Sequence, residues 1–176
     1  MSSYTSGLFL SQQKYIRDLL LRLKMDSVKP VSSPMATSCK LSKIVGKSFS
    51  DPFVYRSTVG ALQYLSFTRP DIAFSVNKVA QFMQAPTDEH WSAVKRILRY
   101  LKSIIQHGIF LSRHSSVQFT AYTYADWAWS IDDRKSTGDY CVFLDINLIS
   151  KKQCTVARSS TEVEYKSVTN AAAVVV

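Results

Sequence analysis

The run 87-TDEHWSAVKRILRYLKSIIQHG-108 decides the fold, because the pattern before it is mainly helical and the pattern after it is strand-like. Thr87 suits the position just before a helix, and Asp88 and Glu89 favour its positive end. Gly108 is a residue that can close one. Trp91, Val94, Ile97, Leu98, Leu101, Ile104 and Ile105 recur at helical spacing and form one apolar arc. Beside that arc, Lys95, Arg96, Arg99 and Lys102 fall within about 120° of one another at 100° per residue. A stripe of one sign suits a phosphate backbone, and equally a solvated face that happens to be basic. His90 and His107 flank the stripe and read as surface groups, and His114 stands apart.

Upstream, 11-SQQKYIRDLLLRLKM-25 has a helical period through Tyr15, Ile16, Leu19, Leu20 and Leu23, with Ser11 able to cap it. Residues 26–50 are rich in Ser, Lys and Pro without period, and read as a linker or long loop. A second helix opens at Asp51-Pro52 and buries Tyr55, Val59, Leu62 and Leu65. The turn 66-SFTRPD-71 ends it, and Thr68 and Asp71 are spaced as a capping box for a third helix carrying Ile72, Val76, Val79 and Met83.

Downstream of Gly108 the period shortens. Strands are expected at 109-IFLS-112, 117-VQFTAYTY-124, 140-YCVFLD-145, 147-NLIS-150 and 154-CTVA-157, with a polar turn at 131-IDDRKSTGD-139. A last helix starts at 159-SSTEVEYKS-167, where Ser159 and Glu162 pair as a capping box. The fold class is α+β, with a helical part at 1–108 and a strand-rich part at 109–176.

The chain has 176 residues and a formal charge of +9, from 22 Lys+Arg against 13 Asp+Glu. Such a balance favours a polyanionic partner. An apolar fraction of 46% excludes a disordered chain. Cys39, Cys141 and Cys154 fit neither a zinc spacing nor a disulfide framework, and point to a reducing, intracellular compartment, cytoplasm or nucleus. No apolar run is long enough to span a bilayer, so no membrane partner is expected.

Chemistry-bearing residues are few. The strand 117–124 runs into Asp126, and Glu164 lies in the first turns of the last helix. A strand acid beside a helix acid is half of a two-metal site, which needs at least one more carboxylate. Taken alone, Glu164 is an ordinary exposed helical acid.

The run 55-YRSTVGALQYLSFTRPDIAFSVNKVAQFMQAPTDEHWSAVKRILRYLK-102 closely resembles the Pol polyprotein of copia-type LTR retrotransposons, especially plant elements. So do 7-GLFLSQQKYIRDLL-20, 133-DRKSTGDYCVFL-144, 147-NLIS-150 and 151-KKQCTVARSSTEVEY-165, in the same order. The resemblance implies a reverse transcriptase tail, thumb- or connection-like, followed by the start of a ribonuclease H-like mixed sheet with one helix. The parent would copy RNA into DNA and cleave the RNA of an RNA:DNA hybrid with two Mg²⁺ ions.

The family commonly reads Y-S-D-A-D-W-A where this chain has 122-YTYADWA-128, so Tyr124 occupies the place of the first metal-binding aspartate. Asp126 matches the second acid and Glu164 the helical catalytic glutamate. A phenol is neutral near pH 7 and is no substitute for a carboxylate. The family's NLISWSSKKQ is shortened by three residues to 147-NLISKKQ-153, and its STSGY reads 136-STGDY-140, which adds a charge to a turn. Removing an odd number of strand residues reverses the later faces unless a loop absorbs it. The resemblance therefore implies an inactive fragment that needs no cofactor. Two alternatives stand beside it: a non-catalytic nucleic-acid binder using Lys95, Arg96, Arg99 and Lys102, and a protein that associates through an unpaired sheet edge.

Overall fold

Tyr55, Val59, Leu62 and Leu65 recur along one face of a helix, Pro52–Leu65, and all four are fully buried. In the computed structural model, which describes residues 2–4, 7–36, 41–112, 119–126, 137–144, 147–152 and 159–175, that face belongs to a four-helix core. In chain order the first unit has strands β1 (Ser2–Tyr4) and β2 (Gly7–Leu10), helix α1 (Gln13–Arg22), helix α2 (Pro52–Leu65), a single 3-10 turn at Pro70–Ile72, helices α3 (Ala73–Ala80) and α4 (Asp88–Ser103), and strand β3 (Ile109–Ser112). The second has strands β4 (Phe119–Asp126), β5 (Thr137–Leu144) and β6 (Asn147–Lys152), then helix α5 (Ser160–Val175).

The division falls after Arg113, not after Gly108. The reason is pairing: β3 runs antiparallel to β2, with Leu10 opposite Ile109 and Gly7 opposite Ser112. Both ends of this ladder carry a glycine, and a Cβ on Gly7 or Gly108 would collide with the carbonyl of Leu111 or Leu10. Gly108 thus permits a close strand approach, while α4 already ends at Ser103.

Helix α4 touches α1, α2 and α3, and its Val94, Ile97, Leu98 and Leu101 are fully buried among them. Asp51 accepts from the Val54 N–H at 3.0 Å and caps α2, with Pro52 at the first helical position. Ser11 acts one residue away from the expected cap, accepting from the Gln13 N–H at 3.3 Å. The Tyr55 hydroxyl donates to the Val79 carbonyl at 2.8 Å, tying α2 to α3, and burial pushes its pKa well up.

Helix α1 ends in a Schellman turn. The Met25 N–H donates to Leu20 and the Lys24 N–H to Leu21, which puts Lys24 at a φ of 55°. The Thr68–Asp71 capping box does not form. The Thr68 hydroxyl donates to Gln12 instead, and Asp71 is taken by Arg69.

In the second unit the sheet order is β4-β5-β6, both pairs antiparallel, and α5 lies against β4 and β5. No parallel pair joins the described strands. Strand β5 begins at Thr137, which moves Asp139 out of the expected turn and into the ladder. The Ser159 hydroxyl accepts from the Glu162 N–H at 3.2 Å at the start of α5. The expected strand at 154–157 lies outside the described residues. No helix among the described residues is long and apolar enough to cross a membrane.

Candidate functional site

The basic stripe of α4 faces the segment 26–36, part of the stretch expected as a linker or long loop, which is laid along the helix as a strap. Arg99 Nε donates to the Lys29 carbonyl at 2.7 Å, Lys102 Nζ to the Val28 carbonyl at 2.7 Å, and Arg96 Nη2 to the Ser33 hydroxyl at 2.8 Å. The strap answers with the Val31 N–H on the Arg99 carbonyl, and its Val31 carbonyl accepts from the Ser103 hydroxyl. An irregular backbone cannot satisfy its own carbonyls, and cationic side chains at helical spacing supply the missing donors. Three residues of the stripe therefore have a structural task.

None of Lys95, Arg96, Arg99 and Lys102 pairs with a carboxylate among the described residues. Lys95 is exposed and makes no hydrogen bond to the strap among the described residues, so the face keeps a solvated positive end. Arg96 Nε is buried with no hydrogen-bond partner.

A second polar cluster lies where the turn after α2 meets the end of α4. Arg69 is 3% exposed and grips Asp71 through Nε at 2.9 Å and Nη2 at 2.7 Å, while Nη1 reaches the Ile104 carbonyl at 3.3 Å. The Tyr100 hydroxyl donates to Asp71 Oδ2 at 2.9 Å, the oxygen that Arg69 Nη2 also reaches. Burial works against an ionised Asp71, but the Arg69 hydrogen bonds and charge, helped by Tyr100, outweigh it and hold the carboxyl below its ordinary pKa. Burial and the Asp71 carboxylate push the Tyr100 phenol up. The sequence marked this arginine only as part of a family block. A two-residue spacing between Arg and Asp around a proline was the available signal.

His90 is not a surface group; it is fully buried. Its Nδ1 accepts from the Thr87 N–H at 3.0 Å, which leaves Nε2 to donate to the Ser42 carbonyl at 3.1 Å. The Thr87 side chain accepts from the His90 backbone in return, and the imidazole stacks on Phe82 at 3.9 Å. It closes a capping box in the place where Glu or Gln usually stands, and the T-x-x-H spacing carried that information. His107 is exposed as expected, and His114 lies outside the described residues.

The expected catalytic positions fall in the second unit. Tyr124 and Asp126 occupy the last turns of the β4 ladder, opposite Asp139 and Thr137 of β5. Glu164 is exposed near the start of α5, the helix that lies against β4 and β5. Among the described residues, no three His, Cys, Asp or Glu come together as a metal-holding group.

The chain is similar to the retrovirus-related Pol polyproteins of two Arabidopsis thaliana transposons. It is 52% identical to that of RE2 over 167 residues, and 54% identical to that of RE1 over 168 residues. These alignments take in 93% and 94% of the chain, which spans 12% of either polyprotein's length. An uncharacterised mitochondrial protein of the same plant is 43% identical over 176 residues, covering 98% of this chain and 73% of that protein. No family model and no solved structure matches the chain.

Proposed function

Because the chain belongs to the Pol polyprotein family of copia-type plant retrotransposons, we propose that it corresponds to a reverse transcriptase tail joined to the first part of a ribonuclease H-like domain, and that it catalyses neither parent reaction. The observation that supports this is the end of β4, where Tyr124 stands at the place that the resemblance assigns to a metal-binding aspartate. The residues do not fit a pair of Mg²⁺ ions. A phenol stands where the resemblance puts one ligand, and no three His, Cys, Asp or Glu among the described residues come together to hold such ions.

The test is incubation of the purified chain with a labelled RNA:DNA hybrid and Mg²⁺. The expected result is an intact RNA strand for the wild type and for Glu164→Ala alike. Mg²⁺-dependent cleavage that vanishes in Glu164→Ala overturns the reading.

A second reading rests on the α4 face, whose four cations have no carboxylate partners among the described residues. It is passive binding of a nucleic-acid backbone. Lys95 gives the clean measurement, because it can be neutralised without touching the strap. In fluorescence anisotropy of a labelled hybrid, Lys95→Gln should lower the slope of log affinity against log salt by about 0.9. An unchanged slope removes Lys95 from the contact.

A further inference from the structure

Helix α2 presents an exposed outer face. Phe53, Ser57, Gly60 and Tyr64 recur at spacings of four, three and four residues, within about 60° at 100° per residue. Phe53 is 74% exposed and Tyr64 54%. Phe67, just past the helix, is 80% exposed and lies 6.5 Å from Tyr64, which meets the ring of Tyr15 edge-on at 5.2 Å. The Ser57 hydroxyl donates back to the Val54 carbonyl at 3.1 Å, so the middle of the face asks for no polar partner.

Gly60 is the second observation. A Cβ built there meets nothing within 4 Å, so no neighbour inside the chain requires a glycine. Glycine in a helix interior is destabilising relative to alanine. A bare backbone at the centre of an exposed face does serve one purpose, the close approach of another helix.

We infer that this face of α2 docks against the same face of a second copy of the chain. The spacing four, three, four reads the same in both directions. Two copies crossing antiparallel at Ser57 and Gly60 therefore set Phe53 of each beside Tyr64 of the other, the self-complementary arrangement a two-fold axis demands. The open aromatic surface amounts to roughly 500 Å² per copy at ~200 Å² per ring residue, already at the upper range for a monomer's largest patch. Two such faces together bury about 1,000 Å², the threshold for a specific interface. Charge agrees. The chain carries +9, yet α2 holds a single charged residue, Arg56, on the flank of the face beside the exposed Gln63. An uncharged surface on a basic protein suits a like partner better than a polyanion.

Sedimentation velocity of the full chain, from low micromolar to hundreds of micromolar, tests the assignment. The expected result is a monomer–dimer equilibrium that tightens as salt screens the two positive copies, opposite to any nucleic-acid contact. Gly60→Leu should move the midpoint concentration up at least tenfold while the circular dichroism of the helices is kept or increased. Phe53→Ser provides the same readout should the leucine disturb folding. A chain that is monomeric throughout overturns the inference and assigns the face to a different partner. So does a dimer indifferent to both variants, or open-ended association without a closed dimer, as the unpaired edge of a sheet would produce.

Discussion

Lys24 adopts a φ of 55°, the left-handed conformation that a Schellman turn requires and that side chains other than glycine resist. The turn is held by Met25, which is buried in the core, so the strain at Lys24 is imposed by packing one residue later. Lys24→Gly should therefore stabilise the chain by about 1 kcal/mol, read as a higher urea midpoint with an unchanged slope. Asp71 gives the opposite case. Its carboxyl titrates lower in the folded chain than in the unfolded one. Its contribution is complete above the unfolded value of about 3.9 and is lost as pH falls through the lower folded value. Asp71→Asn leaves the buried Arg69 guanidinium without its counter-charge and should cost roughly 2 kcal/mol at pH 7, below the usual range for a buried pair because Asp71 is partly open to water. Urea titrations from pH 2 to 7 should show the two proteins converging at the acid end. The sequence displayed both residues but not this relation. The spacing rule for caps claimed Asp71 for Thr68, whereas the deciding quantity is the burial of Arg69, which depends on where α4 ends.

Elements with a strong period were the most legible. The helices α1, α2 and α4 follow directly from apolar residues three and four apart, and Asp51-Pro52 marks the start of α2 as read. The strap was not legible, because segments without period announce only what they are not. Its order comes from across the chain, through donors on α4 whose pattern suits a phosphate backbone and equally a solvated face. Arg99→Ala should release it. Limited proteolysis within residues 26–36 should quicken severalfold, at a stability cost of about 1 kcal/mol, the scale of one charge-assisted bond at a surface. The short strands β1 and β2 were missed for a similar reason. Pairing with β3, a hundred residues on, makes β2 a central strand. Of the site, the strand that carries Tyr124 was readable from its alternation, though it runs on to Asp126, and the placement of Asp139 opposite Tyr124 was hidden by a turn that ends earlier than its composition suggests.

At the scale of the molecule, the hydrophobic core cluster among the described residues lies in the first unit, between Ile16 and Leu101. A fragment ending at Arg113 should keep the helical circular dichroism of the first unit and a cooperative thermal transition within a few degrees of the corresponding transition in the full chain. Loss of cooperative folding in that fragment would mean that the second unit supplies stability the core does not. One consequence comes from the β2–β3 ladder. Antiparallel neighbours lie about 5 Å apart, so this unit starts and finishes on the two strands that flank β2, roughly 10–15 Å from each other. A piece of chain with nearby ends behaves as a cassette. It can be spliced into a hairpin of an unrelated host without prising that host open, or its ends can be sewn together and new ones cut at a surface loop.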